Sequence, residues 1–136
     1  MQTFLPYVSF IESAEHLDYR RLGKQRVEAF QILNSLKNHD RWYNHPAVKM
    51  WEGFEEALKF YCNCMIEEWV ARGYRNNMKL YKINYDELVL PKWIGNEEFH
   101  KSHRAALLYK NHDFYSKFNW EEEPKLDYIW PTKKGE

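Results

Sequence analysis

The chain has 136 residues, with 20 Lys and Arg against 20 Asp and Glu, so no net field draws it to a polyanion and a nucleic-acid surface must be a local basic patch. One domain of this length, residues 1–136, buries a core without disulfides or structural metal, and it is expected to act as a monomer with no cofactor. No apolar window approaches the roughly 20 residues that cross a bilayer, and the N-terminus lacks a signal peptide's basic start and apolar run, which reads as a cytoplasmic protein (nucleoid-associated if bacterial) with no membrane partner.

The periodicity is helical almost throughout and predicts an all-α bundle of three main helices with an aromatic C-terminal tail. A first helix is expected from Ser13, its N-cap, to Leu36, with Leu22, Ala29, Phe30, Leu33 and Leu36 on the core side. The loop "KNHDRWYNH" leads to Pro46, suited to the first turn of a second helix. His45 either caps that helix or marks a helix N-terminus that meets an anion. Val48, Trp51, Phe54, Leu58, Tyr61, Met65 and Trp69 then recur at three- and four-residue steps, and Gly73 is the natural stop. Cys62 and Cys64 point to different faces of this helix, so they read as reduced, partly buried thiols. Residues 74–94 are irregular, with a short helix expected around Asp86. Asn96 caps the third helix, Glu97 and Glu98 fill its first turn, and Phe99, Ala106 and Leu107 face inward. The remaining "KFNWEEEPKLDYIWP" reads as an ordered tail around the bundle. Aromatics make up 18% of the chain, which suits a ring-filled core or a stacking surface.

At 100° per residue, Arg21, Lys24, Glu28 and Gln31 share an arc of about 80° on the first helix, flanked by Gln25. With Arg20 and Arg26, cations concentrate in two turns. Gly23 interrupts this stretch at a cost of about 1 kcal/mol relative to alanine. Close backbone approach to a ligand or another helix is one reason to tolerate it. The bland alternative is a solvated face with Lys24 paired to Glu28. The third helix adds Lys101, Ser102, His103, Arg104 and Lys110. His100 and His103 share a face, but without cysteine or spaced carboxylates they do not read as a metal site. Phosphate contact or a satisfied histidine fits better. Ser102 and His103, as helix neighbours, cannot face one another, and no nucleophile elbow surrounds the serine.

Three stretches, in order, together resemble the pyrimidine-dimer DNA glycosylase/AP-lyase family: the Thr3 region leading into "EHLDYRRL", then "GFEEALKFYCNCMIEEWVARGY", then "LPKWIGNEEFHKSHRAALLYKNHDFYSKF". "RLGKQRVE", "NHPAVKMW" and "SHRAALL" are similar to a bacterial branch of that superfamily. The resemblance implies a compact all-α domain that clasps duplex DNA at a bent lesion and flips a base from the stack. It also implies a chemistry: the α-amine of an N-terminal threonine attacks the sugar C1′, and the imine serves as electron sink. A glutamate directly after a Tyr-Arg pair shuttles protons. This chain departs at both points. Thr3 follows Met1 and Gln2, and Gln2 is bulky enough that Met1 is expected to stay, leaving Thr3 without a free amine. Tyr19-Arg20 is followed by Arg21. The nearest acid on that face is Glu28, two turns on, about 20° away in azimuth and roughly 10 Å along the axis.

The expectation is a DNA glycosylase, with or without AP-lyase activity, that excises a damaged or modified base from duplex DNA. Glu28 is the expected general acid/base. The amine comes from Met1 (or Gln2 after processing) or from Lys24, as a lysine nucleophile needs a neighbouring cation such as Arg21 and desolvation. Arg20, Arg21, Arg26, Lys101, His103, Arg104 and Lys110 are the expected DNA contacts, with Gln25 placed to hydrogen-bond a flipped base. The alternative is a non-catalytic DNA-binding or lesion-sensing module. A third reading is a nucleotide- or base-modifying enzyme on the same scaffold.

Overall fold

Ser9 opens the first helix, α1 (Phe10–His16), by accepting the Glu12 amide hydrogen on its hydroxyl in the computed structural model, which describes residues 1–131. Ser13, the expected cap, is instead buried inside α1 and exchanges hydrogen bonds with the Tyr7 backbone. The single helix expected from Ser13 to Leu36 is two helices. Leu17 and Asp18 are extended, and α2 (Tyr19–Asn38) starts afresh after them. The break has a tertiary cause. The Asp18 amide donates to the Tyr115 hydroxyl, and its carboxylate accepts from that same hydroxyl and from Arg21.

The second expected helix also splits, into α3 (Pro46–Lys49) and α4 (Glu55–Ala71). The turn between them contains Gly53 at φ +88°, a conformation that side-chain-bearing residues avoid. His45 settles as a plain cap: its Nδ1 accepts the Ala47 N–H at 3.0 Å. The apolar stripe from Val48 to Trp69 is buried except for Phe54, which is half-buried. Gly73, also left-handed, lies just beyond the end of α4 as expected.

Asn96 caps α5 (Glu97–Lys110) by accepting the Phe99 N–H. A short α6 (His112–Tyr115) and a 3-10 turn at Ser116–Phe118 follow. The expected helix near Asp86 is a turn, closed by the Asp86 N–H donating to the Asn84 side chain. Among the described residues there is no β-strand, and no helix is long and apolar enough to cross a membrane. Cys62 and Cys64 are buried free thiols.

The main packing sets α2 against α4, with α1 also on α4. Leu22, Ala29, Leu33 and Leu36 on α2 are buried, whereas Phe30 is 44% exposed. Phe30 lies in an apolar depression with Val27 and Leu80, on the flank of α2 that α4 does not cover. Gly23 has a direct packing reason. A Cβ there would meet the Trp69 ring at 2.8 Å, closer than carbon atoms pack. The glycine admits α4, and that answers the choice between a ligand and a neighbouring helix.

Residues 2–6, without regular secondary structure, are buried between α2, α4 and α5. A buried non-helical backbone must find partners for its polar groups, and here side chains supply them. Gln25 accepts the Phe4 N–H and donates to the Gln2 carbonyl. The Tyr61 hydroxyl, 2.8 Å from the Phe4 carbonyl and 2.6 Å from Gln25 Oε1, shares its single hydrogen between the two oxygens. His103 Nδ1 accepts the Leu5 N–H at 2.9 Å, and His100 Nδ1 donates to the Leu5 carbonyl at 2.8 Å. Arg104 donates to the Pro6 carbonyl. Because His100 Nε2 accepts the Gly95 N–H, its proton sits on Nδ1; in His103 the roles reverse, with the proton on Nε2. Burial holds His103 neutral, pushing its pKa down to about 3. The N-terminal segment is thus a threaded core element that joins α5 to the α2/α4 pair.

Candidate functional site

Where this segment emerges, its first residue opens a cleft of about 510 Å³. The front of α2 supplies one wall, with Arg20, Arg21, Lys24 and Glu28. Lys110 comes from the last turn of α5, and Phe4, Leu126 and Tyr128 form an apolar side. The α-amine of Met1 stands 4.0 Å from Glu28 Oε1.

Glu28 is held from several directions. Its Oε2 accepts from Gln25 Nε2 at 2.8 Å, and the Gln2 backbone also donates to the carboxylate. Its side chain is only 13% exposed. Burial raises the pKa of this carboxyl above the ordinary range, against the downward pull of the Met1 amine, Lys24 and these hydrogen bonds. A carboxyl with a raised pKa beside an amine is suited to carrying a proton.

The arrangement also explains a cationic cleft on a neutral chain. Arg20 and Lys24 are exposed; Arg21 is tied to Asp18 at 3.1 Å but still lines the cleft. Cations at a concave mouth, with low-dielectric walls behind them, focus a positive potential that suits phosphate.

The other expected contacts lie elsewhere. The Arg26 guanidinium stacks 4.3 Å over the Trp69 ring and donates to Asn76, outside the cleft. Lys101 sits 3.8 Å from Glu98, in a separate depression shared with Glu122, Glu123 and Asp127. Arg104 is bound to Glu97, Glu122 and the Pro6 carbonyl. His103 is fully buried and cannot touch a ligand at the surface. Of the α5 cations singled out in the sequence, the structure brings Lys110 alone to the cleft.

Gln25, placed by sequence to read a flipped base, is 1% exposed. A glutamine amide has two donor hydrogens and two acceptor positions. Phe4 N–H and Tyr61 O–H occupy the oxygen, and the Gln2 carbonyl and Glu28 take the nitrogen. Nothing remains for a base.

Thr3 is fully buried, with its hydroxyl accepting from Trp51 Nε1 at 3.0 Å. It is a core residue here, and Met1 occupies the end of the segment. Sequence reasoning did not find Phe4, Tyr61, Leu126 or Tyr128 at the site. The only signals were the aromatic tail and the Tyr61 position in the apolar stripe.

A family model described as "Pyrimidine dimer DNA glycosylase" matches residues 1–82. That span holds α1 to α4 together with the Met1, Lys24 and Glu28 side of the cleft. No curated protein and no solved structure matches the chain.

Proposed function

The chain belongs to the pyrimidine dimer DNA glycosylase family, and from that premise we propose that it is a DNA glycosylase with AP-lyase activity on a damaged or modified base in duplex DNA. The observation that carries this reading is the Met1 α-amine, 4.0 Å from the Glu28 carboxylate at the mouth of a cationic cleft.

The chemistry follows from those two groups. The neutral amine nitrogen attacks the sugar C1′; the bond from C1′ to the base breaks, and the base leaves with a proton. The amine then loses a proton as the C=N bond forms and the C1′–O4′ bond breaks, O4′ of the opened sugar takes up a proton, and the protonated imine becomes the electron sink. Glu28 removes a proton from C2′, the electron pair moves toward the imine, and the 3′ phosphate departs. Water then hydrolyses the imine and returns the free amine. Arg20, Arg21, Lys24 and Lys110 hold the flanking phosphates. Lys24, one helical turn from Glu28, is another amine in the cleft and competes for the nucleophile's role.

The alternative, a DNA-binding or lesion-sensing module without turnover, is favoured by Arg21 in the family's glutamate position and by the burial of Thr3. Borohydride trapping on duplex DNA with one abasic site separates the readings. The wild type and Lys24→Ala are expected to give a covalent adduct, and a chain with a blocked α-amine is expected to give none. An adduct that survives the block but is lost in Lys24→Ala moves the nucleophile to Lys24. No adduct in any of the three sinks the lyase and leaves either a glycosylase without lyase activity or a module without turnover.

A further inference from the structure

Gln25 has no capacity left for a ligand, yet among the described residues it is the one side chain hydrogen-bonded to both the Glu28 carboxylate and the N-terminal segment carrying the amine. Its amide plane is fixed from behind by the Phe4 N–H, which donates to Oε1 at 2.9 Å, and by Tyr61 on α4, whose fully buried hydroxyl shares its one hydrogen between Oε1 at 2.6 Å and the Phe4 carbonyl at 2.8 Å. With Oε1 accepting from Tyr61 and Phe4, the nitrogen must face the cleft side, where it donates to Glu28 Oε2 and the Gln2 carbonyl. Glu28 Oε1 is then the oxygen turned toward Met1. We infer that Gln25, locked by the Phe4 N–H and Tyr61, is a positioning residue that aims one carboxylate oxygen of Glu28 at the Met1 α-amine.

A solvated glutamate rotates freely about its terminal bonds, and each freely turning group adds entropy that the reacting pair must lose. The hydrogen bond to Gln25, with that from the Gln2 backbone, removes that freedom before any substrate arrives. It also stabilises the charged carboxylate, working against the burial that raises its pKa. The other titratable and charged groups around Glu28 are Met1 and Lys24, Arg20 and Arg21 on α2, Tyr61 on α4, Lys110 on α5 and Tyr128 in the tail. None of these donates to Oε2 in the structure.

This inference rests on the proposed catalytic role of Glu28, but its test does not require activity. Carbon-13 NMR of the Glu28 carboxyl and nitrogen-15 NMR of the Gln25 amide are recorded against pH on the full wild-type chain. The Gln25 amide signals are expected to shift with the same midpoint as Glu28. Amide signals that stay still through the Glu28 titration overturn the inference, whatever the enzyme assay shows. Two variants add to this: Gln25→Met removes the donor, and Tyr61→Phe loosens the amide, which the Phe4 N–H still holds. The Glu28 midpoint is expected to rise by about one pH unit in Gln25→Met and by less in Tyr61→Phe. If the wild type is a lyase, the acid limb of its rate profile moves up by the same amount. A lyase whose profile is unmoved in a folded Gln25→Met keeps its function and loses this positioning role. A titration that behaves as expected in a protein without lyase activity keeps the positioning and discards the function.

Discussion

The front of α2 and the middle of α5 both carry clustered cations, but they put them to opposite uses. On α2, Arg20 and Lys24 stand exposed beside a cleft with Glu28 and the Met1 amine. On α5, Arg104 is 12% exposed and ties the Pro6 carbonyl to Glu97 and Glu122, while His100 and His103 grip Leu5. One cluster faces outward to meet anions; the other turns inward and satisfies the backbone of a buried segment. The difference lies in what passes beside each helix. A threaded chain with free carbonyls and amides runs along α5, and its polar groups claim the nearest donors and acceptors.

The comparison can be broken most sharply at its two carboxylates. Glu28→Gln is expected to slow strand scission at an abasic site by roughly 10²- to 10⁴-fold while DNA affinity is retained. Glu122→Gln, the acid paired to Arg104, is expected to leave that rate unchanged. Single-turnover gel assays read both, and equal losses would erase the distinction between the two regions.

The cations provide the next test. Arg104→Ala leaves the Pro6 carbonyl and Glu122 without their partner and is expected to cost about 2 kcal/mol in urea unfolding. The exposed part of its pairing, to Glu97, adds little. Lys24→Ala and Lys110→Ala are expected to leave stability within about 0.5 kcal/mol. Each should instead reduce the slope of log affinity against log salt by about one. A slope reduced by Arg104→Ala as much as by Lys24→Ala would place α5 on the DNA as well.

The smallest expected effect concerns the glycine inside the cationic stretch. Gly23→Ala gains about 1 kcal/mol of helix propensity but drives a methyl against the Trp69 ring, and overpacking of this kind costs about 1–3 kcal/mol. A net loss near 1 kcal/mol is expected by chemical denaturation. A gain in stability would show that Trp69 yields, and that the glycine serves something other than α4.

Much of the fold was legible in the residues alone. The apolar stripe from Val48 to Trp69, the Asn96 cap and the stop at Gly73 all follow from local rules, and these rules act over one or two helical turns. The helix breaks were not legible. Ser13 and Leu17 fit a continuous helix locally, and only Tyr115, 97 residues beyond Asp18, interrupts it. Phe30 failed for a related reason: a helical face predicts burial only where another element covers it. At the site, Lys24 and Glu28 were readable because a helix brings neighbours one turn apart to one face. Gln25 was readable as polar and close to them, but its four partners come from the N-terminal segment, α2 and α4.

By itself, then, the order of residues determined the helical class, the spacing that sets Lys24 and Glu28 on one helix face, and the family to which residues 1–82 conform. Tertiary structure decided which cations remain available, since Arg104 finds Glu122 and the Pro6 carbonyl, and Arg26 finds a ring, only after folding. It also decided that the chain's first amine lies beside Glu28. The reason is physical: a buried backbone without its own secondary structure takes hydrogen bonds from whatever packs around it, and that packing sets where its end emerges.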